Sequence, residues 1–484
     1  MARNSIRLYL NDDLVELADI SPDRTLLDFL RLERMLRGTK EGCAEGDCGA
    51  CTVLVGRLDG DGLVYEAVNA CIRFVGSLDG THVVTVEHLA GKDGRLHPVQ
   101  QAMVDFHGSQ CGFCTPGFVM SLYGLWLTNP NPSVPEIERA LQGNLCRCTG
   151  YAPIVRAAQS ISTYGQAAED ALNADRAAIR TRLEALRDGQ RVEVHGARGL
   201  LIVPADEDDL AVALGEHPHA TIVAGATDVG LWVTKFMRDI SPVVYIGHLM
   251  RGISVSEERI VFGAGVSYTQ AFEVIARHIP QMGELWDRIG GAQVRNMGTV
   301  GGNIANGSPI GDIPPPLIAL GASITLRMGN ARRVVQLEDF FIAYGKQDRI
   351  AGEFVETVTV PLPRSDGRFA VYKVSKRREE DITAVLGAFR VKIGGGMVSE
   401  AVIAYGGMAG TPKRARAVEA ALIGKPWSME TIDAALPAFE ADYQPLTDWR
   451  ASAEYRMLAA KNLLRRFFIE SGGEAARIIR HEVA

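Results

Sequence analysis

Cysteine is missing from the last 336 residues of this 484-residue chain; all eight cysteines lie before residue 149. That distribution argues against a disulfide scaffold, which normally serves a short secreted domain rather than one third of a large chain. Long apolar runs are also missing: none reaches about 18 residues, so no membrane helix is expected. The opening MARNSIRLYL lacks an apolar stretch with a small-residue cleavage site, so it does not read as a secretory signal, and a cytoplasmic location is expected. There is no basic excess: 51 Lys and Arg against 58 Asp and Glu give a net charge of −7. Such a chain offers no surface for phosphate backbones, so nucleic acid is not an expected partner. The remaining composition, 47% hydrophobic and 23% charged, is that of soluble globular protein. Its length predicts about three or four domains.

Clustered cysteines in such a chain point to metal or redox chemistry. Cys43, Cys48 and Cys51 have the spacing C-x4-C-x2-C, and Cys71 follows. This is the plant-type spacing for a [2Fe–2S] cluster, in which three thiolates come from one tight loop. Gly42, Gly46 and Gly49 permit the backbone angles of that loop and let N–H groups turn toward the sulfurs. Zinc would favour paired CxxC knuckles over a C-x4-C opening. On the flanks, residues 5–10 and 14–17 read as a hairpin around Asn11-Asp12-Asp13. Residues 25–36 read as an amphipathic helix, and 52–55 and 83–86 as strands. The sum is a small α+β domain on the plant-ferredoxin plan.

The second group is QCGFCTPG, with Cys111 and Cys114, and NLCRCTGY, with Cys146 and Cys148. Its surroundings read as four short helices, over 99–106, 117–127, 134–142 and 153–161. Ser133 and Glu136 form a capping box, with Pro135 tolerated in the first turn. Two loops meeting at one end of this bundle would bring four thiolates together, and helix N-termini after Cys114 and Cys148 would favour the thiolate form. Taken alone, the CxxC pair also suits a thioredoxin-like redox motif or half a zinc site.

Together these strings resemble the iron–sulfur part of the molybdenum hydroxylases, a family that includes xanthine dehydrogenase, aldehyde oxidase and carbon monoxide dehydrogenase. The resemblance implies that all eight cysteines are cluster ligands. It also implies that Gln110, just before the CxxC pair, contacts the pterin of a molybdenum cofactor.

Residues 163–191 are rich in Ala, Arg, Asp and Glu and read as a solvated linker with some helix. A new domain begins near Val192, with strands at 200–203 and 221–224. Two glycine-rich stretches stand out, one over 223–230 and one over 297–312. Both offer backbone N–H groups and small polar side chains that can wrap a pyrophosphate without basic residues, or they are simply tight turns. Gly263-Ala264-Gly265-Val266-Ser267-Tyr268 lacks the third glycine of a dinucleotide fingerprint and is set aside. Any dinucleotide would therefore sit on a fold other than the Rossmann fold.

The family resemblance extends here, to a flavin domain of the vanillyl-alcohol-oxidase type. It implies that Ile222, Val223, Ala224, Gly225, Ala226, Thr227, Asp228 and Val229 hold the pyrophosphate and adenine side of FAD. It further implies that Thr299, Val300, Gly301, Gly302, Asn303, Ser308 and Asp312 complete the pocket, with Val355 and Lys373 as further contacts. Ile289 departs from the aromatic residue of animal members, which puts aromatic packing there in doubt. The charged run 373–382 reads as a solvated face. In the family this loop lies near the flavin ring and influences access of NAD, so Lys373 and Glu380 are implied as tuning residues, with no acid–base catalyst on the chain. Strands at 384–393 and 401–406 around a Gly394-Gly395-Gly396 turn, and helices at 413–423 and 453–467, complete a C-terminal flavoprotein domain.

The expected architecture is α+β and multidomain: a plant-ferredoxin-like β-grasp domain (1–90), a four-helix [2Fe–2S] domain (91–165), a linker (166–191), an FAD domain (192–367) and an α+β flavoprotein domain (368–484). The order of these parts resembles the iron–sulfur and FAD subunit of the xanthine dehydrogenase branch. That implies two [2Fe–2S] clusters and FAD here, NAD as co-substrate, and a larger partner subunit carrying the molybdenum cofactor, in a dimer of heterodimers. The alternatives are the same subunit of an aldehyde or N-heterocycle dehydrogenase, a stand-alone ferredoxin-linked flavoprotein, and a zinc-stabilised interaction module.

Overall fold

The computed structural model describes residues 2–474 except Lys92, together with Ala476; the final residues of the expected 368–484 domain lie outside the described residues. The first domain is a five-stranded mixed sheet in the order Asp13–Leu17, Ile6–Leu10, His82–Val84, Thr52–Asp59, Gly62–Asn69. The predicted hairpin is present, with Leu10 opposite Asp13 and Asn11 in the left-handed region at φ 54°. The predicted helix over 25–36 is shorter and irregular. Thr25 caps a single turn, Leu26–Asp28, which passes into a π-helical turn over Phe29–Glu33. Its apolar residues Leu26, Leu27, Phe29 and Leu30 are buried, so packing overrides regular helix geometry.

The helical domain has the four expected helices, Pro98–Asp105, Thr115–Thr128, Val134–Ala140 and Ala152–Ser160. The capping box of Ser133 and Glu136 forms: Glu136 accepts the Ser133 backbone N–H at 2.8 Å.

The linker expectation is corrected. Residues 166–191 are a packed strap, with helices Ala171–Ala174 and Arg176–Leu186. Leu172, Ile179, Leu183 and Leu186 are buried in the same core as Leu54, Leu58 and Trp126. Alanine and arginine dominate the composition, but one face carries enough leucine and isoleucine to seal the bundle against strands Thr52–Asp59 and Gly62–Asn69.

The flavin region has two large sheets and a two-stranded ribbon, Phe341–Ala343 with Lys346–Gln347, among the described residues. The first runs Val192–Gly196, Gly199–Val203, Val243–Tyr245, Thr221–Val223, with parallel pairs at its centre. The second is antiparallel, in the order Ile253–Val255, Arg259–Gly263, Phe354–Pro361, Ser323–Met328, Ala331–Gln336. The C-terminal domain is an antiparallel sheet of Gly367–Val374, Val385–Gly394, Met397–Gly406 and Lys413–Arg414, backed by Arg416–Leu422, Met429–Ala435 and Ala453–Ser471. Gly395 and Gly396, at φ 58° and 78°, make the two-residue turn of its central hairpin, as the twist of paired strands favours.

Hydrophobic cores ignore the domain boundaries. One cluster joins Ile6, Phe29, Val53 and Phe74 of the first domain to Val194, Leu201, Val243 and Tyr245 of the flavin region. Backbone pairing continues the junction: Arg3 N–H donates to Arg191 O, and Glu193 N–H to Arg3 O, both at 2.8 Å.

Candidate redox and flavin sites

The first cysteine loop folds as its glycines require. Ala44, Gly46 and Gly49 all have positive φ, and a Cβ on Gly42 would lie 2.7 Å from Cys48 Sγ. This turns three backbone N–H groups, of Glu45, Asp47 and Cys48, onto Cys43 Sγ at 3.4 Å each. Such bonds stabilise a thiolate and raise the potential of what it binds. Asn69 Nδ2 approaches Cys51 Sγ at 3.9 Å. Hydrogen bonds with the Cys48 and Cys71 thiols hold the Cys43 thiol far below its usual value, and one with Cys71 lowers Cys51. The four sulfurs therefore converge. Cys51 and Cys71 are buried; Cys43 and Cys48 are partly exposed.

In the second group Cys148 lies 3.7 Å from Cys111 and 3.9 Å from Cys146, sulfur to sulfur. Burial and the neighbouring Cys146, Cys148 and Cys111 push the Cys114 thiol up to about 12. Cys146 N–H donates to the Tyr151 hydroxyl at 3.0 Å. Cys111 and Cys148 are exposed, Cys146 is buried. All eight thiols are free. Among the described residues no three His, Cys, Asp or Glu side chains surround a single ion position.

The two cysteine loops touch. Leu145 N–H donates to Cys48 O at 3.0 Å, and Asn144 Nδ2 to Gly49 O at 3.2 Å. Gln293 of the flavin region, fully buried, reaches into this junction; its Nε2 lies 3.0 Å from Thr52 Oγ1 and from Asn144 Oδ1. No motif in the sequence marks Gln293.

Both glycine stretches border one cleft of about 380 Å³. Ile222, Ala224 to Val229, Thr299, Gly301, Gly302, Asn303 and Val355 line it. Val223 and Val300 do not: they are fully buried in the flanking cores. Ile289 is likewise a buried core residue. The stretches divide the work differently from expectation. In the second, the N–H groups of Val300, Gly301 and Gly302 are already taken by Val266 O, Ala264 O and Thr299 Oγ1. In the first, no backbone donation is present from Ala224 through Val229, and Ala226 sits at φ 61°. Successive free N–H groups around a left-handed residue form an anion-binding nest. Asn303 Oδ1 is buried without a hydrogen-bond partner. Free donors and an orphaned acceptor on one cleft fit a polar, pyrophosphate-bearing cofactor.

The sequence reading missed several walls of the cleft. Ala264 and Tyr268 belong to the stretch set aside for its missing glycine, Asn306 lies in the second glycine stretch but not among the implied contacts, and Arg349 and Phe354 carry no pattern at all. Ser308, Asp312 and Lys373 stand outside the cleft lining. Lys373 Nζ pairs with Asp312 Oδ2 at 2.6 Å and donates to Arg288 O at 3.1 Å, and Thr383 Oγ1 bonds the same carboxylate. Glu380, expected on a solvated face, is half-buried against Gly291; burial and the Asp47 carboxylate push it up to about 8. Gln110 is exposed beside Cys111.

Four family models match along the chain: a 2Fe-2S iron-sulfur cluster binding domain (residues 9–75), a [2Fe-2S] binding domain (85–159), the FAD binding domain in molybdopterin dehydrogenase (194–363) and the CO dehydrogenase flavoprotein C-terminal domain (370–471). The chain is homologous to the N-terminal part of xanthine dehydrogenase. It is 30% identical to xanthine dehydrogenase/oxidase of Rattus norvegicus over 97% of this chain and 39% of that one. With xanthine dehydrogenase of Emericella nidulans it shares 31% identity over 91% of this chain and 36% of that one. The chain thus spans about two fifths of the length of these relatives. Among solved structures, carbon monoxide dehydrogenase from Hydrogenophaga pseudoflava is similar at a TM-score of 0.52 and 28% identity, over 55% of this chain and 93% of that one. Carbon monoxide dehydrogenase from Oligotropha carboxidovorans gives 0.52 and 26%, over 56% and 97%. The chain is an iron–sulfur/FAD electron-transfer module of the molybdenum hydroxylase kind, with two [2Fe–2S] domains and an FAD-binding domain. Among the described residues no helix is long and apolar enough to cross a membrane.

Proposed function

We propose that this module serves a xanthine dehydrogenase: it takes electrons released by hydroxylation of hypoxanthine or xanthine at a partner's molybdenum cofactor and delivers them to NAD. The clusters, when bound, pass single electrons and FAD stores two, releasing them as hydride. The chain's own residues then have three tasks. Cys43, Cys48, Cys51 and Cys71 hold one cluster, and Cys111, Cys114, Cys146 and Cys148 the other. The N–H groups of Ala224 to Val229, with Asn303, Thr299, Gly301 and Gly302, hold FAD. Lys373 and Asp312 form a buried ion pair that holds the Arg288 backbone and Thr383, outside the cleft's lining.

The observation that carries the reading is the surface around the second cysteine group. Cys111 and Cys148 are exposed, and beside them Phe113 and Leu145 are about half exposed and Tyr151 38% exposed. An apolar rim around ligand thiols is costly in water and suits a protein partner that brings its own cofactor to Gln110. The test is to purify the chain with its partner, measure iron, molybdenum and FAD, weigh the assembly for a dimer of heterodimers, and assay xanthine with NAD. Brown protein carrying about four irons and one FAD per chain, with NAD reduction on xanthine, is the expected result. Turnover of aldehydes or N-heterocycles alone would overturn the substrate. Oxygen consumption without NAD reduction would overturn the acceptor.

A further inference from the structure

A second cavity, about 360 Å³, shares no lining residue with the cysteine groups or the FAD cleft and lies where the first domain, the strap and the flavin region meet. Five arginines line it: Arg3, Arg57, Arg73, Arg187 and Arg251. Arg3 is committed to Asp79 and Asp188, at 2.6 and 2.9 Å, and Arg57 to Glu66 and Asp59, at 2.9 and 3.1 Å. The other three have no ion pair among the described residues. Arg73 donates only to Ser77 O at 3.2 Å. Arg251 donates to Gly247 O at 3.1 Å and Gln270 Oε1 at 3.0 Å. Arg187 donates to Leu58 O at 3.4 Å. The Nε of Arg73 and the Nε of Arg251 are both buried without a hydrogen-bond partner.

Arg73 and Arg251 are partly buried and unpaired, which is costly, and Arg187 adds a third unpaired guanidinium at the exposed edge of the cavity. Burial, with the neighbouring Arg57 charge, lowers both Arg73, to about 10, and Arg251. An anion removes that cost. A carboxylate presents only two oxygens, whereas a phosphate presents three or four, which suits several guanidinium forks. The volume lies within the range of small-ligand pockets.

We propose that this cavity is a binding site for a phosphate-bearing small molecule, held by Arg73, Arg187 and Arg251 at the seam between the first cluster domain and the flavin region. Its occupant fastens the two regions together, because its ligands come from both: Arg73 from the first domain, Arg251 from the flavin region and Arg187 from the strap.

The test uses the protein with both clusters and FAD in place, so that the FAD cleft is filled. Inorganic phosphate, pyrophosphate and, as a carboxylate control, succinate are titrated calorimetrically against sodium chloride of equal ionic strength. Saturable binding of phosphate or pyrophosphate, with an upward shift of the thermal midpoint beyond the salt control, is expected. Arg73→Gln and Arg251→Gln are each expected to weaken that binding about tenfold to a hundredfold, as loss of a charge-assisted bond does. Each is also expected to raise the midpoint without anion, by relieving repulsion. Should Arg73→Gln fail to fold, Arg251→Gln decides alone. No binding beyond the salt control, binding that the variants retain, or succinate binding as tightly as phosphate would each overturn the proposal.

Discussion

Gly117 is the third residue of helix Thr115–Thr128, which begins directly after Cys114. A helix position with ordinary backbone angles favours alanine over glycine by about 1 kcal/mol. Local reasoning therefore predicts that Gly117→Ala stabilises the chain. The structure predicts the opposite sign. A methyl at Gly117 would overlap the carbonyl oxygen of Gly49 and lie 3.1 Å from its carbon and 3.2 Å from Ala50 Cα. These are backbone atoms of the first cysteine loop, fixed by Thr52 N–H and Asn144 Nδ2 on the same carbonyl, at 3.1 and 3.2 Å. They cannot step aside as a side chain would. Overpacking of this kind costs about 1–3 kcal/mol or more, which outweighs the propensity gain. The loop–loop seam at Leu145 and Cys48 must open to admit the methyl. Gly124→Ala on the same helix is the control. Its methyl would meet only the flexible Leu54 side chain, at 3.0 Å, so the helix gain should survive. The assay is loss of cluster absorbance on heating, together with the magnetic interaction between the two reduced clusters in electron paramagnetic resonance. Gly117→Ala should melt earlier than wild type and show a weakened interaction at unchanged iron content; Gly124→Ala should do neither. A Gly117→Ala protein as stable as Gly124→Ala, with the interaction intact, would refute the reasoning.

Three further perturbations address the other parts. Gly225→Ala would drive a methyl into the Met297 carbonyl and part the two glycine stretches, so the purified protein should carry little FAD while keeping its iron; flavin and iron assays on one sample check this. Leu183→Ala, in the strap and fully buried, should cost about 2–5 kcal/mol and expose 166–191 to limited proteolysis, whereas a solvated linker would be cut equally in both proteins. Glu380 faces Asp47, Arg295, Arg377 and the Gly291 backbone and is raised from 4.5 to about 8. The folded chain then binds this proton more tightly than the unfolded one, so stability is full below about pH 4.5 and falls as pH rises toward 8. Glu380→Gln should flatten that decline in a series of melting curves and make the variant the more stable protein at pH 8.

Legibility in the sequence followed the locality of the signal. Cysteine spacing, capping boxes and glycine turns are local, and the two cysteine loops, the four helices and the Gly395-Gly396 turn were all readable. The strap was misread because its composition is polar on average; Leu172, Ile179, Leu183 and Leu186 matter only once a partner face exists. Gln293 escaped for the same reason, and Glu380, named through the resemblance, was placed on a solvated face although it is half-buried. Such amide and carboxylate side chains look like surface residues until distant segments close over them. Gly263–Tyr268 shows the reverse error. Its glycines were tested against one fold's fingerprint and dismissed, although Ala264 and Tyr268 line the cleft through a different geometry. Spacing cannot reveal which N–H groups are spent, and only the folded chain shows that the second stretch has used its own.

Contacts between these sites follow one order. The second cysteine loop meets the first through Leu145 and Cys48. The first loop meets the helix Val229–Thr234, where Thr234 Oγ1 donates to Ala44 O at 2.6 Å and Lys235 Nζ to Cys43 O. That helix starts at Asp228 and Val229, which line the FAD cleft. The first two steps are direct polar contacts between a cysteine-bearing loop and its neighbour, and the third is the helix itself. Domains joined by small polar interfaces are expected to move relative to one another; domains that share a large apolar core are not. Here the first domain shares one core with the flavin region and another with the helical domain and strap. Fixed spacing along the whole series is thus built from hydrophobic burial, and the polar contacts set only its register. The exposed rim at Cys111 and Cys148 lies at the far end of that series from the cleft, where a docking partner can reach a thiol without disturbing either core.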